Sequence, residues 1–210
     1  MSETTCRGRG RPKAVPDEAQ RALIVACARE LFLEKGYGCT TTEIIAVRCH
    51  ISKQTLYRLF PDKSAIFAAV IDGHSRTMFD LPCDCDNLPL DEALEKMFKV
   101  NISEEAENER VALLRLIVAE SIRFPELSAI AKRNGYERLL QDLTGWLAYQ
   151  RARGLIDTDD IDCAARMLMD MIFGSIITEA IGISEWPGAA KRQADIRRSI
   201  AVFLNGVRPG

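Results

Sequence analysis

The sequence predicts an all-α fold of about nine helices. Apolar residues recur at every third or fourth position through most of the 210 residues, which is the period of an amphipathic α-helix. No stretch sustains the alternation of apolar and polar residues that is typical of a half-buried strand. Proline, glycine and N-cap residues divide the chain into segments of helical length, so we expect helices joined by turns.

These boundary residues predict four regions. A basic arm rich in Gly, Pro and Arg covers residues 1–16 and cannot bury enough apolar surface to fold alone. A small helical unit covers residues 17–79, and a linker with two prolines and three aspartates covers residues 80–89. A larger helical unit covers residues 90–210. The nine helices are expected near residues 17–35, 41–49, 53–60, 62–79, 90–103, 108–123, 126–153, 159–182 and 189–206.

Composition and charge restrict the class of protein. The chain is 47% hydrophobic, and its longest stretch without Asp, Glu, Lys or Arg is nine residues, 199–207. A membrane-spanning helix needs roughly 18 such residues, and the polar N-terminus does not resemble a secretion signal. We therefore expect a cytoplasmic protein without a membrane segment. Its seven cysteines are odd in number and irregularly spaced, which favours free thiols in a reducing compartment.

Charge is distributed unevenly along the chain. Residues 1–79 carry 12 Lys+Arg and 8 Asp+Glu, whereas residues 80–210 carry 16 and 22. A basic first third followed by an acidic remainder indicates that the N-terminal part contacts a polyanion.

Two short helices in the N-terminal unit are separated by a tight turn. Thr40 or Thr41 is placed to cap the first helix, while Ser52 caps the second and Pro61 ends it. The residues expected to face inward are Ile45, Ala46, Ile51, Leu56 and Phe60. The second helix then exposes a short, polar, positively charged face, which fits the major groove of DNA in a helix-turn-helix.

We expect this unit to contact both bases and phosphates. Gln54 and Arg58 can reach base edges, and hydroxyl groups and Lys63 suit phosphate oxygens. The predicted DNA contacts in this unit are Thr40, Thr41, Thr42, Ser52, Lys53, Gln54, Thr55, Tyr57, Arg58 and Lys63. Arg9 and Arg11, in an extended Arg-Gly-Arg-Pro segment that resembles an AT-hook core, are predicted to enter the adjacent minor groove. A solvated tail is the alternative for that arm.

At these positions the sequence closely resembles the TetR family of transcriptional regulators. The resemblance covers roughly residues 20–72 and rests on Phe32, Gly36, Thr40, Thr41, Ile45, Ala46, the run 51–57 (ISKQTLY), Phe60 and Lys63. It implies a homodimer that binds a palindromic DNA operator, with an effector-binding and dimerisation domain at residues 90–210. It also implies repression that a small molecule relieves. His50 departs from the Gly usual in the family's turn, and His is among the residues enriched at positive φ.

The resemblance further implies that the last two helices pair with their copies in the second subunit. Their apolar faces predict a dimer interface, although internal core is the alternative. The interface residues expected are Ala164, Leu168, Met171, Ile172, Ser175, Ile196, Ile200, Phe203, Leu204 and Val207.

Large apolar groups between the linker and these helices suggest a pocket for a mostly apolar effector. For each residue alone, ordinary core is the more common role. The pocket residues expected are Phe98, Leu114, Ile117, Glu120, Phe124, Trp146, Tyr149, Met167 and Met171.

Two features of the sequence are compatible with other functions. Cys83 and Cys85, with His74 upstream, suggest a redox- or metal-responsive regulator, but two thiols one residue apart lack the usual spacing of zinc ligands. A DNA-processing enzyme would also use a helix-turn-helix, yet the sequence contains no phosphate-binding loop and no metalloprotease or hydrolase motif. We therefore predict a ligand-responsive DNA-binding regulator that is not an enzyme and needs no cofactor or bound metal.

Overall fold

The computed structural model describes residues 16–81, 87–180, 182 and 188–208, all of which belong to helices and their connections. The α-helices in these ranges are α1 (Asp17–Cys39), α2 (Thr42–Arg48), α3 (Lys53–Leu59), α4 (Lys63–Met78), α5 (Leu90–Met97), α6 (Glu104–Glu120), α7 (Pro125–Ala131), α8 (Glu137–Ala152), α9 (Ile161–Ala180) and α10 (Ala189–Val207). A π-helical segment, Lys132–Tyr136, joins α7 to α8. The all-α prediction is confirmed.

The helix boundaries differ from the predicted ones in several places, among them α6, which was predicted over residues 108–123 and spans Glu104–Glu120. Gly36 does break α1, with φ 79° and ψ 162°, but the chain regains helical geometry and α1 ends at Cys39. The helix predicted over residues 90–103 ends at Met97, because Lys99 has a positive φ of 47°. The helix predicted over 126–153 is divided by the π-helical segment. The apolar period does not predict such a segment.

The N-terminal unit folds around α1. Helices α2, α3 and α4 pack against it, and its core includes Phe32, Leu56, Phe60 and Phe67, none of them more than 1% exposed. The rings of Phe32, Tyr37 and Phe67 contact one another in tilted and edge-to-face pairs, with centroids 5.2–5.5 Å apart. Burial of large aromatic rings accounts for much of the stability of such a small core.

The C-terminal unit buries the facing sides of α5, α8, α9 and α10. Helices α6 and α7 pack instead beside the N-terminal unit, where Leu113, Ile117, Leu127 and Ile130 share a core with α1 and α4. The two units therefore share a packed boundary. Within the described ranges, no helix is long and apolar enough to cross a bilayer.

Candidate nucleic-acid interface

Two hydroxyl caps and one strained turn residue determine where the two helices of the helix-turn-helix begin and how the turn between them is formed. Thr41 Oγ1 accepts a hydrogen bond from the Ile44 amide, which caps α2. Ser52 Oγ accepts one from the Thr55 amide at 3.0 Å, which caps α3. Between them, His50 has a φ of 54°, so the turn uses the left-handed region despite the absence of Gly. The cap is thus Thr41, and Thr40 has another role.

Helix α3 presents opposite faces to the core and to solvent. Leu56 is fully buried and Leu59 is 8% exposed. Lys53, Gln54 and Tyr57 lie exposed on the other side, with Tyr57 46% exposed. The helix that the sequence predicts to enter the major groove therefore exposes polar side chains, as that role needs.

The exposed face is organised by polar contacts. Lys53 Nζ lies 2.9 Å from Glu43 Oε1, and this ammonium group lowers the pKa of Glu43 to about 2. The hydroxyls of Thr42 and Tyr57 are 2.8 Å apart. These contacts tie the N-terminus of α2 to α3, so the groups expected at phosphates and at bases are held as one surface.

Arg58 is held by an ion pair with the first residue of α1. Its Nη1 and Nη2 donate to the two carboxylate oxygens of Asp17 at 2.5 and 2.8 Å. The pair lowers the pKa of Asp17, chiefly through the hydrogen bond from Arg58. A contact of Arg58 with a base or a phosphate would therefore require the loss of this ion pair.

Two of the predicted DNA contacts have structural partners instead. Thr40 is fully buried, and its hydroxyl donates to the carbonyls of Leu31 and Gly36 at 3.2 and 2.8 Å. Lys63 Nζ donates to the Tyr37 carbonyl at 2.8 Å and lies 4.0 Å from the centre of that residue's ring. Burial lowers the pKa of Lys63. Both side chains fix the end of α1. The spacing of these residues in the sequence does not predict this structural role.

Several predicted residues lie outside the described part of the chain. They are Arg9, Arg11, Cys83, Cys85 and the side chain of Ser175. The arm and the redox- or metal-responsive alternative therefore stay predictions.

An apolar cavity of about 220 Å³ lies where the two units meet. Its walls come from α4, α6, the π-helical segment, α8 and α9, and include Ile71, Met78, Leu114, Ile117, Leu139, Phe173 and Ile176. His74 and Ser75 supply polar groups. Burial, with the nearby charges of Arg29 and Arg110, lowers the pKa of His74 to about 4, so its imidazole is neutral at pH 7.

The structure does not bring the nine predicted pocket residues together. Leu114 and Ile117 line the apolar cavity, whereas Phe98 and Trp146 pack in the C-terminal core. Tyr149, Met167 and Met171 are 49%, 58% and 37% exposed. Helical spacing alone does not distinguish a cavity wall from a core or an outer surface.

Glu120 and Phe124, also predicted for the pocket, contact the last turn of α1. Glu120 Oε2 accepts a hydrogen bond from the Gly38 amide at 2.9 Å. The Phe124 ring packs edge-on against Tyr37 with 5.3 Å between ring centroids. These residues therefore join the end of α6 to the DNA-binding unit.

The predicted dimer residues also need correction. Eight of them are at most 9% exposed within a single chain: Ala164, Leu168, Ile172, Ile196, Ile200, Phe203, Leu204 and Val207. They form the packing between α9, α10 and their neighbours, so they are core. Met171 is 37% exposed, and the side chain of Ser175 lies outside the described part of the chain. The outer surface of the same helices carries Met167, Met171 and Val202, the last 60% exposed. The apolar period correctly identified the buried faces of α9 and α10, but it did not show that helices of the same chain cover them.

Comparison with known proteins agrees with this geometry. Residues 24–70 match the family model described as bacterial regulatory proteins, tetR family. Residues 90–206 match that of the AefR-like transcriptional repressor, C-terminal domain.

Individual relatives cover most of the chain. The HTH-type transcriptional regulator UidR of Escherichia coli K12 is 29% identical over 197 residues, which are 90% of this chain and 94% of that protein. The solved structure of the flavonoid-responsive regulator FrrA is 27% identical, with a TM-score of 0.64 over 91% of this chain and 98% of that one. A regulator from Mesorhizobium loti MAFF303099 has the same fold, with 23% identity and a TM-score of 0.69 over 93% and 100% of the two chains.

These relatives are regulators of transcription and not enzymes, which confirms the function predicted from the helix-turn-helix. The family model for the C-terminal unit covers more than half of the chain. The chain belongs to the TetR family of transcriptional regulators.

Proposed function

We propose that this chain is a cytoplasmic, homodimeric repressor that leaves a palindromic operator when a small, largely apolar ligand binds. The observation that carries the proposal is the position of the apolar cavity, because α4 forms one of its walls and also packs in the DNA-binding unit. Ile71 lines the cavity, while Phe67, one turn earlier, is fully buried beneath α1. A ligand that favours one position of α4 therefore changes operator affinity.

Base reading is assigned to Gln54 and Arg58, and phosphate binding to the polar groups around them. The phosphate contacts proposed are Thr41, Thr42, Ser52, Lys53, Thr55 and Tyr57. Arg9 and Arg11 are proposed to occupy the adjacent minor groove. Thr40 and Lys63 are proposed to act on DNA only indirectly, through the position of Tyr37 and the loop before α2.

The dimer is proposed to form through the outer surfaces of α9 and α10, around Met167, Met171 and Val202. Exposed apolar side chains on adjacent helices are typical of an interface, and a two-fold axis there would place two copies of α3 on two half-sites. Val202→Glu is expected to yield monomers in sedimentation velocity. Ile122→Glu, at a residue that is 89% exposed on another surface, serves as the matched control; a dimeric Val202→Glu protein would contradict the interface.

Ligand release is tested on an operator obtained by selection from random duplex DNA. An apolar compound library is screened for loss of the complex, and each active compound is tested against Leu114→Trp, which fills the cavity. We expect Leu114→Trp to bind the operator but to lose the response. Ile122→Trp adds the same bulk outside the cavity and is expected to respond normally; an unchanged response in Leu114→Trp would refute this effector site.

A further inference from the structure

A second concave site also borders His74. It is a cleft of about 550 Å³ whose walls come from α1, α4 and residues 99–110. His74 lines both spaces. The cleft therefore lies between the N-terminal unit and the C-terminal unit, and its lining carries Arg29, Lys99 and Arg110 together with Glu109.

The cations of the cleft lie at two depths. At its rim, Arg29 Nη2 is 3.2 Å from Glu109 Oε2, and Arg29 remains partly accessible. Deeper, Arg110 is only 5% exposed. A guanidinium group at such a depth offers a planar pair of donors that matches a carboxylate.

Among the described residues, Arg110 shares its carboxylate partner with a second buried cation. Its Nη1 lies 3.3 Å from Glu107 Oε2, but the other oxygen of that carboxylate lies 2.6 Å from Arg192 Nη1. All three side chains are at most 5% exposed. Two buried cations thus share one buried anion, and an additional anion beside Arg110 would offset the cost of burying the excess positive charge.

Small residues keep the rest of the cleft open. Ala22 and Ala26 line it from α1, and Gly73 lines it from the middle of α4. A Cβ atom built at Gly73 meets no atom within 4 Å, so helix packing does not require Gly there. Gly inside a helix costs about 1 kcal/mol relative to Ala, and what it provides here is space. Val25, Val70 and Ile102 supply apolar walls.

From this combination we infer that the cleft binds a small organic carboxylate, with the carboxylate group against Arg110 and the apolar body between α1 and α4. This site is distinct from the proposed effector cavity and does not depend on DNA binding. A ligand in it contacts both units at once.

Benzoate is the probe, with benzamide as its neutral counterpart, and binding to the full chain is measured by calorimetry and by line broadening of the ligand's NMR signals. We expect saturable benzoate binding and at least about tenfold weaker benzamide binding. Gly73→Leu, which fills the cleft while improving the helix, is expected to abolish binding. Gly145→Leu, at another helical Gly with no atom within 4 Å of an added Cβ, is expected to leave it unchanged.

Arg110→Met is expected to weaken benzoate binding at least about tenfold; if that variant does not fold, Gly73→Leu decides the question. Leu114→Trp, in the apolar cavity, is expected to bind benzoate normally. The inference is overturned if benzoate does not bind at about 10 mM, if benzamide binds equally well, if Gly73→Leu binds normally, or if only Leu114→Trp loses binding.

Discussion

The carboxylate of Glu120, the last residue of α6, accepts a hydrogen bond from the amide of Gly38 at 2.9 Å. The same carboxylate lies against Gly36, where an added Cβ would be 2.3 Å from Oε1. The C-terminal unit is therefore joined to the last turn of α1, just before the helix-turn-helix, at a point where an added side chain would have to displace the Glu120 carboxylate.

Gly36→Ala should disturb both sides of this contact. The new methyl group displaces the Glu120 carboxylate from Gly38, and the backbone conformation of Gly36, with φ 79° and ψ 162°, is unfavourable for Ala by about 1–3 kcal/mol. In a Glu120→Ala background only the backbone strain remains, so the same substitution should cost about 1 kcal/mol less. Urea unfolding of the four proteins in this double-mutant cycle measures the coupling, and strictly additive costs would contradict it.

Thr40→Val should destabilise the chain without acting on DNA directly. The substitution keeps the shape of the side chain but leaves the carbonyls of Leu31 and Gly36 without the hydroxyl donor, at a position where the Thr40 side chain is fully buried. We expect a loss of about 1–3 kcal/mol in the free energy of unfolding. Thr41→Val at the N-cap is expected to cost about 1 kcal/mol. If Thr40→Val lowered operator affinity at unchanged stability, Thr40 would have to be returned to the DNA interface.

Asp17→Asn should strengthen DNA binding. It removes the carboxylate that holds Arg58 and a negative charge beside the interface, so Arg58 no longer has to break an ion pair. Operator affinity is expected to rise by a few-fold, with a steeper dependence on salt concentration. Glu18→Asn, at the next exposed residue of α1, controls for the change in net charge. A weaker complex with Asp17→Asn would mean that the ion pair prepares Arg58 for DNA.

Because of His74, the free energy of unfolding should decrease as the pH is lowered from 7 to 4. Its folded-state pKa of about 4 lies below the ordinary value of 6.5, so the unfolded chain takes up the proton first as pH falls. The neutral imidazole contributes up to about 3 kcal/mol to the free energy of unfolding. This contribution is complete above pH 6.5, decreases as the pH falls below 6.5, and is lost once the pH is below 4.

The comparison that isolates this effect is His74→Leu. Unfolding free energies of both proteins at pH 7 and pH 5 give a difference in which the titration of all shared groups cancels. The wild type should lose more stability than the variant over this interval. An equal loss would show that His74 does not titrate abnormally.

Much of the DNA-binding unit was predictable because its signals are local. Thr41, Ser52 and Asp62 each cap the helix that follows, and a hydroxyl or carboxylate three residues before an amide is visible in the sequence. The break at Gly36 and the positive φ at His50 are likewise properties of single residues.

The partners of individual side chains were not predictable, since they join distant parts of the chain. Lys63 binds the carbonyl of Tyr37, 26 residues away, and Arg58 pairs with Asp17, 41 residues away. For the same reason, the apolar period of α10 identified Ile200 and Phe203 as buried but could not say that α9 and α5 of the same chain cover them. The cleft beside Arg110 could not be predicted from the sequence, because its charged residues come from three separate segments of the chain.

The central claim is that α3 reads base pairs with its exposed face, and one measurement tests it most directly. Wild-type protein and Gln54→Ala are each used to select binding sites from the same random duplex pool, with heparin as competitor. We predict that the wild type enriches a palindromic site and that Gln54→Ala changes the preference at specific base pairs within each half-site. Failure of the wild type to enrich any duplex, or identical sites for the two proteins, would contradict the account.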